Sequence, residues 1–355
     1  LVSGSIEGSA LVTNSESIDE IKSLVNRLIN SVIFIQGPPG TGKTFLGSRL
    51  IVDLLSKGKK LGVTSNSHKA IINMLDKVER CSHENQFYFS GAKKSNKSDL
   101  SQHYSTIKND PNSMIKDFYN NKEIITGNYQ LIAGTAWFFA DPLLDKTLDF
   151  LIVDEAGQLS LATLIAAATS SKSIILIGDQ NQLEQPIQGI HPNDSGISAI
   201  NYLLKTNKQN DVDAITVPDN KGIFLKKTYR LHPSICSFIS EAFYQSRLVA
   251  SSENQKRKLI LQDKCNESLI SSGIKLISVS HRGCKQYSKT EVDLVSSLYK
   301  QLLSQKVSNE KFQNRPITDN DILVVAPYNL QVQEIKKVLP DLARVGTIDK
   351  FQGQE

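Results

Sequence analysis

An α/β fold, built as two parallel-sheet domains, is what this sequence predicts, and three observations carry the prediction. Short apolar runs recur along the chain with amphipathic stretches between them. Those runs are near-continuously apolar rather than alternating, the pattern of strands covered on both faces. One of them leads into a glycine-rich loop that opens a helix. At 355 residues the chain also exceeds one ordinary core and suits two domains.

The first strand is "SVIFIQ". A helix from about Gly42 to Lys57 follows, with Phe45, Leu46, Leu50, Leu54 and Leu55 expected on its inner side and Gly58 as its stop. "LGVTS" is a second strand and "SHKAIINMLDKVE" a second helix, while "LIAGT", "FLIVD" and "SIILIGD" are three further buried strands. Between them, residues 81 to 123 are rich in Ser, Asn and Lys, yet carry Phe87, Tyr88, Phe89, Tyr104, Phe118 and Tyr119. Interleaved aromatics and lysines suit single-stranded nucleic acid. The favoured alternative is a small insertion subdomain whose aromatics form a minor core of their own. Residues 205 to 222 read as a polar connection. Alternation then resumes with the strand "GIKLISVS", the helix "KTEVDLVSSLYKQLLS", the strand "DILVVAP" and the helix "NLQVQEIKKVL". This second half has no glycine-rich loop of its own.

Composition narrows the class. Hydrophobic content of 39% with 22% charge is that of a water-soluble globular chain, and no apolar run is long enough to span a bilayer. The N-terminal "LVSGSIEGSA" lacks the basic and apolar regions of a signal peptide. The net charge of +5 permits a polyanionic partner without demanding one. Cys81, Cys236, Cys265 and Cys284 form no paired motif, so reduced thiols in a cytoplasmic setting are expected rather than a metal site.

The chemistry sits in three strand-end motifs. "GPPGTGKT", Gly37, Pro38, Pro39, Gly40, Thr41, Gly42, Lys43 and Thr44, fits the phosphate-loop pattern between a strand and a helix. Its backbone N–H groups form an anion nest. Lys43 is expected on the β- and γ-phosphates and Thr44 on Mg²⁺. "FLIVD" ends in "DEAGQ", where Asp154 suits the metal and Glu155 the attacking water, although an Asp-Glu pair after a strand also suits a helix cap. "LIGDQNQLEQP" offers Gln182 as a γ-phosphate sensor and Asp179 as a turn cap.

These motifs, followed by "YRLHP" and "TIDKFQGQE", stand in the order found in superfamily 1 helicases, which the chain resembles over nearly its whole length. It looks most like the branch containing the nonsense-mediated-decay RNA helicase and the nuclease-helicase of Okazaki-fragment processing. "INSVIFIQGPPGTGKT" and "QPIQGIHPNDSGISAI" are closest to bacterial members with a RecB-like nuclease domain in the same polypeptide. The resemblance implies two RecA-like domains of the P-loop NTPase type, at residues 1–215 (insertion about 81–123) and 216–355. It implies ATP and Mg²⁺, a single strand of DNA or RNA as partner, and movement 5′ to 3′ by a monomer without a membrane.

Residue by residue, the resemblance places Thr64, Ser65, Gly134 and Thr135 on the nucleic-acid backbone, with Tyr328, Gln331, Thr347 and Gln352 on the strand from the second domain. Tyr229 would stack on the base, Arg230 would reach the γ-phosphate, and Glu355 would face the sugar. Two departures stand out. Asn14 and Glu16 occupy a context where the family often has an adenine-reading glutamine, and the last arginine motif has no counterpart. The missing start Met and the ending on "TIDKFQGQE" suggest a piece of a longer chain whose second domain is truncated. Alternatives that share these motifs are a strand-stimulated ATPase that remodels nucleoprotein without unwinding, and a regulatory ATP-binding module.

Overall fold

The computed structural model describes residues 9–105, 110–182, 192–204, 215–262, 268–309 and 314–351. The chain divides into two compact units, Leu1–Thr228 with Ile239–Val249, and Tyr229–Phe238 with Ala250–Glu355. The division therefore falls after the expected 215/216 boundary. The reason is a strand, Gly222–Phe224, that pairs with the first strand of the first sheet and keeps residues up to Thr228 with it.

Among the described residues, eight strands make the first unit's sheet: β1 (Val32–Gln36), β2 (Leu61–Thr64), β3 (Gly91–Lys94), β4 (Ile115–Phe118), β5 (Leu131–Ala133), β6 (Leu148–Val153), β7 (Ser171–Gly178) and β8 (Gly222–Phe224). Their order is β4-β3-β5-β2-β6-β7-β1-β8, and every pairing is parallel. Ile33, Ile35, Leu61, Val63, Ile152, Ile175 and Ile177 are almost wholly buried, as expected of strands covered on both faces. Three helices, α1 (Ile18–Asn26), α2 (Lys43–Ser56) and α3 (His68–Glu84), add Leu24, Leu50, Leu54, Ile71, Leu75 and Val78 to that core. Each such side chain contributes about 1.5–3 kcal/mol through burial.

Helix α2 ends where Gly58 adopts φ +73° and its N–H bonds the Leu55 carbonyl at 2.9 Å. Phe45 departs from its expected place inside. It lies on the outer face, with the Arg49 guanidinium 3.3 Å from its ring centroid. Ser67 caps α3, its hydroxyl accepting from the Ala70 N–H at 3.1 Å.

Residues 81 to 105 and 110 to 123 do not form a separate insertion. They finish α3 and then supply β3 and β4, which extend the parallel sheet at one edge. Phe89 and Tyr104 join the main core instead of forming a minor one, whereas Tyr88 and Tyr119 are exposed. Two buried charged residues hold this edge. Glu79 of α3 accepts from Tyr104 Oη (2.8 Å), Ser113 Oγ (2.7 Å), and the N–H groups of Met114 (2.7 Å) and Ile115 (3.2 Å). Lys93 of β3 donates to Ser95 Oγ at 2.9 Å and to the Gln102 carbonyl, while Ser95 Oγ donates to Asp117 at 2.5 Å.

The second unit has its own core around Val292, Tyr299, Ile317, Ile322, Val332, Ile335 and Val345. Helices Lys289–Leu303 and Asn329–Val338 match expectation, as does the strand Leu323–Val325, paired parallel with Arg344–Gly346. A three-stranded antiparallel sheet of Lys258–Ile260, Lys306–Ser308 and Arg315–Pro316 accompanies them. "GIKLISVS" does not form the expected strand. Its apolar side chains stay outside the core, Leu276 being 86% exposed, so burial gives the segment no reason to pair. Among the described residues, no helix is long and apolar enough to cross a membrane.

Burial pushes the Lys93 ammonium down from 10.5 to about 8, against the opposing pull of Asp117. The folded state therefore binds that proton less well than the unfolded chain, and stability rises with pH between about 8 and 10.5. Urea midpoints measured across that range should climb in the wild type, and Lys93→Met should remove this component of the climb.

Candidate functional site

Parallel pairing brings the ends of β1, β2, β6 and β7 to one edge of the sheet. Gln36 stands opposite Gly178, Thr64 opposite Val153, and Val153 opposite Leu176. The loops that follow these residues emerge together at the carboxyl ends of the strands, where open parallel sheets bind ligands.

The phosphate loop starts with a bond from the Gly37 N–H to the Gly178 carbonyl at 2.8 Å, which continues the β1–β7 ladder by one step. Gly40 (φ +75°) and Gly42 (φ +81°) are left-handed, which curls the backbone into a cradle that residues with a Cβ resist. Thr41 Oγ1 donates to the Pro38 carbonyl at 2.8 Å, and Thr228 Oγ1 holds the Pro39 carbonyl at 2.9 Å. Lys43 lies back over the loop, its ammonium donating to the Gly37 carbonyl at 2.5 Å. A Cβ on Gly37 would collide with the Lys43 side chain. The cradle thus fits an anion, with N–H groups at a helix start and a lysine folded across the opening.

Asp154 is buried at the end of β6, and its carboxylate accepts the Glu155 N–H at 3.0 Å. Glu155 has φ +53°, a left-handed conformation uncommon for a residue with a side chain. Burial pushes its carboxyl above the usual range, opposed by the nearby Lys43 charge and by Ser65. Asp179 is also pushed up by burial. It accepts from Tyr244 Oη at 2.6 Å, from Gln36 Nε2 at 3.4 Å and from the Asn181 N–H at 3.3 Å, which makes it the cap of its turn. The Gln182 N–H closes that turn on the Asp179 carbonyl at 3.3 Å. Among the described residues, no three His, Cys, Asp or Glu gather into a metal cluster.

Several expected strand contacts are placed differently. Thr64 ends β2 and Ser65 follows it; both are buried, with hydroxyls that find no hydrogen-bond partner, so neither side chain stands at the surface. Gly134 is buried as well, and its N–H bonds the Val63 carbonyl at 3.2 Å. Thr135 is half-buried at the start of the short helix Ala136–Phe139. Trp137 in that helix belongs to none of the sequence motifs, yet it is 83% exposed while Phe138 and Phe139 are buried beside it. Asn66 and Gln158 meet through their amides at 3.1 Å. Their separation in sequence leaves no local signal for such a pair.

In the second unit, Tyr229 and Arg230 are exposed. The backbone beside them is braced by Arg257, which donates to the Arg230 carbonyl at 2.8 Å, and by Asn254, which donates to the Leu231 carbonyl at 2.8 Å. Tyr328 is exposed and Thr347 half-buried. Gln331 is buried, its amide engaged with the Ser288 N–H (2.9 Å) and Glu291 (3.2 Å), so it braces two helices instead of presenting to a strand. Gln352 and Glu355 lie outside the described residues.

Models of two families, each described as an AAA domain, match residues 21–187 and 202–355. The chain is 27% identical over 346 aligned residues to the DNA replication ATP-dependent helicase/nuclease dna2 of Schizosaccharomyces pombe, covering 90% of this chain and 23% of that protein. It is 24% identical over 381 aligned residues to the DNA polymerase alpha-associated DNA helicase A of the same yeast, covering 92% and 55%. The chain spans less than a third of the length of the first three helicase/nucleases it matches, at 23%, 30% and 23%. The solved structure of PRRSV helicase aligns at 14% identity and a TM-score of 0.39, covering 94% of this chain and 46% of that one.

Two loops of the site abut backbone to backbone. A Cβ at Gly157 would sit 2.6 Å from the Asp179 carbonyl oxygen. Gly157→Ala is therefore expected to destabilise the first unit by about 1–3 kcal/mol, read from urea unfolding, because backbone must move to admit the methyl.

Proposed function

We infer that this chain, which belongs to the superfamily 1 helicases in the branch of the nonsense-mediated-decay and Okazaki-fragment enzymes, is an ATP-driven motor that moves along single-stranded DNA. One observation carries the reading. The phosphate loop, the Asp154–Glu155 pair and Thr135 follow the carboxyl ends of β1, β6 and β5 in one parallel sheet, so nucleotide and strand sites can be mechanically joined. DNA rather than RNA is favoured because the relatives compared are named as DNA helicases.

In this reading ATP supplies the phosphoanhydride bond whose cleavage drives the cycle, and the residues hold, orient and deprotonate. The N–H groups of the loop receive the phosphates, and Lys43 leaves the Gly37 carbonyl to pair with the β- and γ-oxygens. Thr44 and Asp154 offer a hydroxyl and a carboxylate, hard oxygen donors suited to Mg²⁺ beside phosphate. Glu155 takes the proton of the attacking water, and its raised affinity for protons makes it a better base than a solvated carboxylate. Gln182 senses the γ-phosphate. Tyr229 is the aromatic suited to stacking on a base, and Arg230 the cation suited to neutralising charge on a transferring phosphoryl group. Thr135, Tyr328 and Thr347 line the strand.

The test is ATP hydrolysis by the full-length protein with and without an oligo-dT strand. Strand should accelerate the wild type, and Lys43→Ala should abolish turnover; a Lys43→Ala rate equal to wild type would place the site elsewhere. Glu155→Gln should keep nucleotide binding and lose about 10²–10⁴-fold in turnover. Because only the ionised Glu155 can accept a proton, activity should fall as pH drops through its raised pKa. The acid limb of the rate profile should thus lie above the usual carboxylate range.

A further inference from the structure

We propose that Asn66 and Gln158 form the linkage that carries strand occupancy to Glu155, which makes both of them positioning residues for the strand-stimulated part of ATP hydrolysis alone. The proposal rests on the motor reading above and goes beyond it by naming the coupling device.

The three consecutive residues leaving β2 meet the acidic loop at both ends of the run. The Thr64 carbonyl accepts the Asp154 N–H at 2.9 Å. Ser65, buried, is the next residue of the run. Asn66 Nδ2 donates to Gln158 Oε1 at 3.1 Å. The next residue, Ser67, is the exposed cap of α3, so the same short loop runs from the acidic pair to the solvent-facing first turn of a helix.

Gln158 has a second hold on the acidic loop. Its backbone N–H closes a turn on the Glu155 carbonyl at 2.9 Å. One residue thus grips Asn66 with its side chain and Glu155 with its backbone. Glu155 itself is held at φ +53°, a conformation that persists only where its surroundings impose it. A strand that settles the start of α3 also settles Asn66, then Gln158, then the turn that aims the Glu155 carboxylate. Two neutral amides suit the task, since a bond between them changes with geometry and not with ionisation.

The experiment uses the full-length protein, ATP and an oligo-dT strand, with strand affinity measured separately by anisotropy. Asn66→Ala and Gln158→Ala should each lower strand-stimulated kcat about five- to tenfold, the scale of one amide hydrogen bond. The unstimulated rate, the KM for ATP and the strand affinity should stay at wild-type values. The double alanine variant should be no worse than either single one, as for partners in one interaction. The exchanged pair Asn66→Gln with Gln158→Asn should recover most of the stimulation. Full stimulation in the single variants, additive losses in the double, an equal fall in the unstimulated rate, or no recovery in the exchanged pair would each overturn the linkage. A wild type indifferent to the strand would instead sink the motor reading, and the linkage with it.

Discussion

Close backbone contact between the loops after β6 and β7 is the constraint on which the rest of the first unit's site depends. A Cβ at Gly178 would fall 2.9 Å from the N–H nitrogens of both Ala156 and Gly157, and one at Gly157 would fall 2.6 Å from the Asp179 carbonyl. The Gly178 carbonyl also receives the Gly37 N–H at 2.8 Å. Phosphate loop, acidic pair and third loop are therefore joined through backbone with no side chain between them. Side chains flex by rotamer changes, whereas abutting backbones must shift as one. That makes the carboxyl edge a single mechanical object.

Much of this was legible in the sequence because each motif is a local string behind its own strand. "GPPGTGKT" carries its glycines, lysine and threonine in order, and "DEAGQ" carries its acids at the strand end. The edge strands were not legible. "GAKK" reads as loop, and only pairing with β4 and β5 and the bonds made by Lys93 turn it into buried sheet. The inward turn of Thr64 and Ser65, the buried amide of Gln331 and the Asn66–Gln158 pair are likewise tertiary facts. A string shows which residue types are present; it does not show which way a side chain faces at the end of a central strand.

The second unit is organised around fewer long elements, and its interior depends on polar braces as well as on apolar contact. Gln331 ties the start of helix Asn329–Val338 to Ser288, the cap of helix Lys289–Leu303. Outside the interior, Arg315 and Asp321 pair at 2.9 Å near the surface, and the Thr318 N–H adds a second donor to that carboxylate at 2.8 Å. With Gln331 turned inward, Tyr328 is left as the exposed aromatic at the head of the same helix. The brace and the exposed ring are two results of one local geometry.

Trp137 gives the first unit an optical property as well as a surface. It is the chain's one tryptophan, and at 83% exposure its indole emits from water. Buried Phe138 and Phe139 anchor its short helix, so the ring stands out from a fixed base two residues beyond Thr135. A nucleobase or any other aromatic ligand settling on that face would quench or shift the emission of a single fluorophore. These 355 residues thus carry an intrinsic reporter of what lies against this edge of the sheet, readable without a label and with no second indole among them.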